Sequence, residues 1–559
     1  MRKLMKIGIL ILCFQEMYAQ DLENIAKQKP FAITGSLDIR GIGYSASGIA
    51  ARRSPFMYII SGSPTVSLYG IAIPLSFTYS EQDRSFRQPF NQFGMSPTYK
   101  WATAHVGFRN VSFLPYTLAG YTMLGAGVEL NPKKFRFGFM AGRLNRATTV
   151  DTTTGAVQPY SFSRFGYAAK IGYGTEENHF DLSFLSAKDR EKDFKGDLAT
   201  SQVRPAANVV VGGDLKLMIV KKIFVFADVG ISVYTRDFNS SMAISTDSLK
   251  VLNTLNKLIK LNGTSEYYVA YSGGVGYKEK NFGLKLAYKY VDPDFQSMGA
   301  YFFQNDIKNF TISPTFNALK GKLRLMGSLG LQQDNTKQQK QATTKRVIGL
   351  LNLSYDVNEK FGVDANYTNF SSNSEPTVAL VQNKYLLTQT TSNISVNPRL
   401  VLANVNTTNV FLLSYNVSNL VDVNDETKIT NNINSSVALL NHNITLNKIA
   451  LTIMSGVNYT TNKLADQTID NMGFTLGASK GFLKNKLQVS SSNSYIISKL
   501  PQGNNTIINL GGNVAYQPFP KHRFSLRVNS LSNKPDEEVS GGAGRFSEFT
   551  GEFGYTLSF

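Results

Sequence analysis

Phe282-Gly-Leu-Lys-Leu-Ala-Tyr-Lys-Tyr290 is apolar at every even position and small or basic at every odd one. Strict alternation marks a strand with two unlike faces. The same rhythm sets Phe135, Phe137, Phe139 and Ala141 against Arg136, Gly138, Met140 and Gly142. It also sets Phe165, Tyr167, Ala169, Ile171 and Tyr173 against Arg164, Gly166, Ala168, Lys170 and Gly172. It recurs from Ala32 to Phe559. One face suits hydrocarbon; the other suits water. A soluble sandwich would turn its apolar face inward on shorter strands. Several of these runs pass ten residues, the length a tilted membrane strand needs.

Composition points the same way. Only 17% of the 559 residues are charged and 12% are aromatic, yet no run past the N-terminus has the roughly 18 consecutive apolar residues of a membrane helix. Lipid-facing and water-facing residues that alternate average to moderate hydrophobicity, as in a barrel.

The chain starts as an exported one. Arg2, Lys3 and Lys6 precede the apolar run Ile7 to Phe14, and Met17-Tyr18-Ala19 offers a small residue for cleavage. Residues 1–20 are expected to be a cleaved signal and 21–30 a short periplasmic segment. The barrel then takes 31–559. Lipidation of Cys13 is disfavoured by the bulk of Leu12 before it. Cys13 is the sole cysteine, so the mature chain has no disulfide and no cysteine metal site.

The last strand ends Gly554-Tyr555-Thr-Leu557-Ser-Phe559. This resembles the C-terminal signal by which Gram-negative outer-membrane proteins reach their insertion machinery, and Gly554, Tyr555, Leu557 and Phe559 carry it. Phe93 to Trp101, Leu114 to Gly120, Gly125 to Pro132 and Asp292 to Tyr301 are similar to segments of large, uncharacterised porin-like outer-membrane barrels. The resemblance implies a fold and an outer-membrane location, and no substrate.

Short turns are expected at Asn131–Lys134, Thr175–Glu177, near Lys221, at Glu279–Asn281, near Ala318–Gly321, at Asn358–Lys360, at Asn404–Asn406, near Thr445–Asn447, at Lys480-Gly481 and at Pro518–Pro520. Longer polar stretches lie between them, at 147–162, 188–205, 236–264, 332–344, 371–383 and 533–542. In membrane barrels short turns face the periplasm and long loops face outward. About 21 strands follow from Met123. Three before it, near 31–46, 56–80 and 98–111, make an all-β, antiparallel up-and-down barrel of about 24. Dividing 56–80 into three at Ser61–Pro64 and Tyr69-Gly70 would make 26. Within 236–264, Leu249, Leu252, Leu255 and Ile259 form a helical stripe between Ser245-Thr-Asp247 and Asn262-Gly263, expected to pack on the barrel rim or else, through Lys250, Lys257 and Lys260, to dock a partner or lipid A phosphates.

Parity places Arg109, Arg136, Lys170, Lys285, Lys289, Lys322, Arg324, Arg523 and Arg527 on the inner face, with His105. Glu129, Asp181, Asp228, Asp364, Glu548 and Glu552 are the inner acids, and 380–515 is rich in Asn, Ser and Thr. Basic linings favour anions. So wide a barrel needs narrowing, for which 81–97 and 291–305 are candidates through Phe86, Phe90, Phe93, Phe295 and Tyr301. Histidines 105, 179, 442 and 522 have no metal spacing, and no phosphate loop precedes a helix. Neither catalysis nor a cofactor is expected. The formal charge of +19 is spread without a groove-reading module, so nucleic acid is not a partner. The expected partners are outer-membrane lipid and lipopolysaccharide, the insertion machinery, and a surface or periplasmic protein. The sequence reading is a channel with a basic lumen for anionic or polar solutes. Its alternative is a structural or secretion-linked barrel that seats a surface protein or joins an envelope complex.

Overall fold

The computed structural model describes residues 29–559, except 70, 81–92, 149–160, 195–202, 245–255, 301–303, 341, 377–387, 423–430, 465–466, 502 and 537–543. The expected signal at 1–20, most of the segment 21–30, Phe86, Phe90, Tyr301 and most of the helical stripe lie outside them.

The strands are β1 (Phe31–Thr34), β2 (Ser36–Ser47), β3 (Phe56–Gly62), β4 (Thr65–Leu68), β5 (Ile71–Ser80), β6 (Phe93–Met95), β7 (Thr98–Tyr99), β8 (Ala102–Asn110), β9 (Thr122–Leu130) and β10 (Phe135–Asn145). Then come β11 (Ser163–Gly174), β12 (His179–Arg190), β13 (Ala207–Val220), β14 (Ile223–Thr235), β15 (Ser265–Lys278), β16 (Phe282–Val291), β17 (Ile307–Ala318), β18 (Leu323–Gln333), β19 (Ala342–Asp356) and β20 (Phe361–Pro376). The chain finishes with β21 (Thr388–Ala403), β22 (Thr407–Asp422), β23 (Ile433–Leu446), β24 (Leu451–Leu464), β25 (Gln467–Phe482), β26 (Leu487–Leu500), β27 (Gly503–Phe519), β28 (His522–Pro535) and β29 (Phe546–Ser558).

Each strand pairs antiparallel with its neighbours, and the first wall strand closes on the last, in register from Ser36↔Ser558 to Ser47↔Ser547. The chain is a closed antiparallel β-barrel of 26 strands. Three crossings are each made of two pieces. Gly35, at φ 129°, kinks β1 into β2, Ser63-Pro64 interrupts β3 and β4, and Ser96-Pro97 interrupts β6 and β7. Pro64 and Pro97 have no N–H to give a ladder, and so mark the breaks.

The 21 strands expected from Met123 onward are β9 to β29. The count of 24 is corrected at the N-terminal side, where five crossings stand in place of three. The stretch 56–80 is two crossings, hinged at Tyr69 with φ 48°. A further one at 93–99 returns through the turn at Lys100, φ 52°. The pieces are too short to span alone, but Phe56–Gly62 and Thr65–Leu68 continue one another along a single crossing. Most short turns fall where expected. Those near Thr445, Lys480 and Pro518 sit two or three residues later, because β23, β25 and β27 run on.

The apolar face of the wall is exposed around the circumference, as at Tyr173, Phe180, Val229, Leu331, Tyr415, Phe474 and Phe553. At about 3.3 Å per residue, a 17-residue strand such as β27 extends roughly 56 Å. No helix among the described residues is long and apolar enough to cross a membrane. Of the expected helix, 256–258 form a helical turn, and the next residue, Ile259, is buried against Ala207, Val209 and Phe238.

Candidate functional site: a shelf on the inner wall

Two connections leave the long-loop end, and their described residues fold back against one side of the wall. The first, 111–121, joins β8 to β9; the second, 292–306, joins β16 to β17. Their bases are seven strand spacings apart, about 34 Å along the wall at 4.8 Å each. They nevertheless touch. Ala119 N donates to Gly299 O at 3.0 Å, and Ser297 Oγ donates to the Thr117 carbonyl at 2.7 Å. Only on the concave side of a barrel do such loops converge, so they lie inside.

Three glycines let the shelf rest on backbone. A Cβ at Gly138 would stand 2.5 Å from the Phe113 ring, at Gly212 2.8 Å from Thr117 Cγ2, and at Gly230 2.4 Å from Tyr116 Cβ. Gly212 and Gly230 are register partners on β13 and β14. A fully buried polar set then fixes the position. Thr117 Oγ1 lies 2.8 Å from Ser183 Oγ, and Asn208 Oδ1 accepts from Met298 N at 2.9 Å. Ser232 Oγ donates to the Gln296 carbonyl at 2.7 Å while accepting from Asn208 Nδ2 at 2.8 Å. Buried polar groups this well paired define one position sharply, because leaving any unpaired costs about 1–3 kcal/mol. Around them Phe113, Leu118, Met123, Met140, Leu185, Val210 and Met298 form one apolar cluster, and Tyr116, Tyr268, Phe295 and Ile307 another.

A third connection, 334–341, clips the shelf at both ends of 292–306. Lys337 Nζ is 3.0 Å from Asp292, and Lys340 Nζ is 2.5 Å from Asp306. Asp306 also accepts from Asn335 N at 3.1 Å and Thr336 N at 2.8 Å. Burial pushes its carboxyl up, but the hydrogen bonds from Lys340, Thr336 and Asn335 outweigh it and hold it below the ordinary value.

Of the two segments expected to narrow the barrel, the described part of 291–305 up to Ala300 folds inward, with Phe295 buried beneath Tyr116 at 5.8 Å. In 81–97 the described part is wall, and Phe93 is exposed. The segment 111–121 was missed. Its signal was available: Val111, Phe113, Leu114, Tyr116 and Leu118 make it too apolar for a solvated loop.

Below the shelf the expected cationic arc is interleaved with carboxylates. Arg136 Nη2 donates to Asp181 Oδ1 at 2.6 Å, and Lys170 Nζ approaches the same carboxylate at 3.3 Å. His179 meets Asp214 at 2.6 Å, and Asp214 is the register partner of Asp228. Lys285 Nζ stands 4.1 Å over the Phe226 ring, and Lys289 is beside Ser272, its register partner. Arg109 reaches across to Ser76 Oγ at 3.2 Å and the Pro74 carbonyl at 3.3 Å. Arg324 and Arg399 share Asp356, at 3.3 and 3.0 Å. Lys322 is in the turn before β18, outside the wall. Arg523 and Arg527 are exposed and make no ion pair among the described residues. His105 links Ser96 Oγ, at 2.9 Å from Nδ1, to Glu129, at 3.0 Å from Nε2. That chain pins the Ser96-Pro97 kink to β8 and β9.

The opposite wall carries no shelf among the described residues. Its inner face presents Asn366, Ser395, Asn397, Ser414, Ser435 and Asn462, paired along the ladder, for example Ser414 Oγ to Asn397 Oδ1 at 2.6 Å. Near the closing seam a hollow of about 540 Å³ lies between Tyr44, Arg52, Arg53, Asn509, Asn529 and Glu548. Arg52 pairs with Glu548 at 3.2 Å there, and Tyr44 donates to the same carboxylate. At the seam's other end Gly35 and Phe559 exchange backbone hydrogen bonds at 3.0 Å, Thr556 Oγ1 donates to Asp38 at 2.6 Å, and Tyr555 Oη lies 2.9 Å from His522. Gly554 and Leu557 are in β29.

No family model matches the chain, and no curated protein does. Among solved structures, the P pilus usher (PapC) translocation pore is 11% identical over 94% of this chain and 100% of its own, with a TM-score of 0.40. BauA, the ferric preacinetobactin receptor of Acinetobacter baumannii, is 9% identical over 94% and 80%, at 0.39. The FrpB iron transporter of Neisseria meningitidis is 11% identical over 94% and 81%, at 0.37. Likeness at that level leaves the reading of this chain to its own geometry.

Proposed function

We propose that the chain is an outer-membrane channel, not an enzyme, and that polar or anionic solutes pass between the shelf and the bare wall. The observation that carries this is the lopsided interior: loops cover one wall, and hydroxyl and amide side chains line the other. Such a path is narrower than the barrel and wetted on one side. The exposed apolar outer face supports membrane insertion, with the short turns facing the periplasm. Among the inner cations, Lys285, Lys289, Arg523 and Arg527 are the ones we assign to anion preference, because Asp181 forms close ion pairs with Arg136 and Lys170, whereas Asp228 near the two lysines makes none among the described residues. Fixed charge in a confined path raises the concentration of its counter-ion.

Planar-bilayer recording tests the reading. Wild type should conduct with a reversal potential favouring anions, more so at low salt, since screening acts within about 10 Å at 0.1 M. Replacing Lys285, Lys289, Arg523 and Arg527 by Gln should move that potential toward cations. A silent wild-type barrel in the bilayer would overturn the channel and favour the structural, partner-seating alternative. Unchanged selectivity in a conducting variant would remove these four side chains from the path.

A further inference from the structure

The twelve connections at the short-turn end are each four residues or fewer. Together they hold thirteen lysines, at 100, 133, 134, 221, 222, 280, 320, 322, 360, 448, 484, 486 and 521, against four glutamates, at 176, 177, 279 and 359. All thirteen lysines are exposed. The connections at the other end are far longer in total, yet hold seventeen basic and eighteen acidic residues. About half of the chain's formal charge of +19 is therefore a ring on one rim.

The ring has a second component. Next to the lysines stand exposed apolar side chains: Ile219 and Val220 before Lys221, Leu319 before Lys320, Ile449 after Lys448, Leu483 before Lys484, and Phe519 two residues before Lys521. Val405, on a turn without lysine, is 88% exposed. Large apolar side chains at turn tips are costly in water and favourable in the interfacial layer of a bilayer, where lysine stems run along hydrocarbon and ammonium groups meet phosphate.

The distribution selects the ligand. Nine of the twelve turns carry lysine, and they lie all around the circumference. A docked protein would match one arc, and a solute would need charges inside the wall. A lipid leaflet meets the whole rim. Resting on the membrane reading above, we propose that this rim is a binding ring for anionic phospholipid headgroups, which fixes the depth and direction in which the barrel sits.

The test uses the full-length barrel in phosphatidylcholine vesicles with trace spin-labelled phosphatidylglycerol or spin-labelled phosphatidylcholine. A lysine at an anionic surface contributes roughly fivefold. The inserted wild type should therefore prefer phosphatidylglycerol by about that factor at low salt, falling toward one at 1 M salt, where the screening length is about 3 Å. Replacing Lys133, Lys134, Lys320, Lys322, Lys484 and Lys486 by Gln should remove about half of the preference. Lys257→Gln, at the other end, should leave it unchanged. An inserted wild type with no preference overturns the proposal, as does a six-lysine variant equal to wild type. Binding of polyglutamate by the detergent-solubilised barrel, without any vesicle preference, would reassign the ring to an acidic protein and overturn the lipid assignment. Failure to insert would instead overturn the membrane reading itself, and the ring with it.

Discussion

Adding one methyl group under the shelf should lift it. At Gly230 the new Cβ would lie 2.4 Å from Tyr116 Cβ, far inside van der Waals contact. The obstructing atom is next to backbone, so no rotamer change removes it. Either the strand bows or 111–121 moves away. Overpacking of this kind costs about 1–3 kcal/mol, which corresponds to roughly 5- to 150-fold in the population of a lifted shelf. Wall pairing at Gly230 uses backbone groups only, so barrel content should not fall. We expect Gly230→Ala to give normal heat-modifiable barrel, faster proteolysis within 111–121 and larger single-channel conductance. Tyr116→Gly removes the opposing Cβ; in the double variant the methyl should therefore cost little beyond Tyr116→Gly alone. Two separately additive effects would show that Gly230 and Tyr116 do not meet, and the shelf would lose its floor. Unchanged conductance with confirmed shelf release would show that the shelf does not bound the path.

The Asp306–Lys340 clip should respond to acid. Because the folded Asp306 carboxyl is held below its unfolded value of about 3.9, its contribution is full above that value and is lost as pH falls through the folded one; hydrogen exchange of 292–306 should rise there, and should already be high and pH-insensitive in Asp306→Asn. Phe559→Ser should lower the yield of folded barrel, read as heat-modifiable protein in the outer membrane, while normal levels would deny the terminal residue an assembly role. A tag at 240–243 should be displayed on whole cells and one at Asn131–Lys134 should not; the reverse would invert the topology.

Much of the wall was legible. From Met123 onward, two-residue periodicity and punctuating turns set both the faces and the strand number. The first five crossings resisted, because Lys100 turns the chain with no Asn-Gly or Asp-Gly signal, and of the two breaks that divide 56–80 only the one at Tyr69 is a turn. Ser63-Pro64 and Ser96-Pro97 then look like loop ends although the crossing continues past them. Alternation alone puts Arg136 and Lys170 on one face of their strands, but their sharing of Asp181 depends on the register of β10, β11 and β12. Two-residue periodicity orders faces within a strand and leaves the offset between strands open. The pairing of His179 with Asp214 on the next strand is hidden for the same reason. The shelf demanded contacts between residues about 180 positions apart, such as Thr117 and Ser297.

The seam between β2 and β29 gives this molecule an unusual order of events. All other wall pairings join crossings that follow one another along the chain, through a short turn at one end or a longer loop at the other. The last one joins Ser36 to Ser558, so it needs both ends of the wall in place before it can begin. Until then the sheet has two long unpaired edges, the kind of surface that recruits foreign strands. The interval before closure is therefore when this protein is most exposed to aggregation, and a chain shortened by β29 would never leave it.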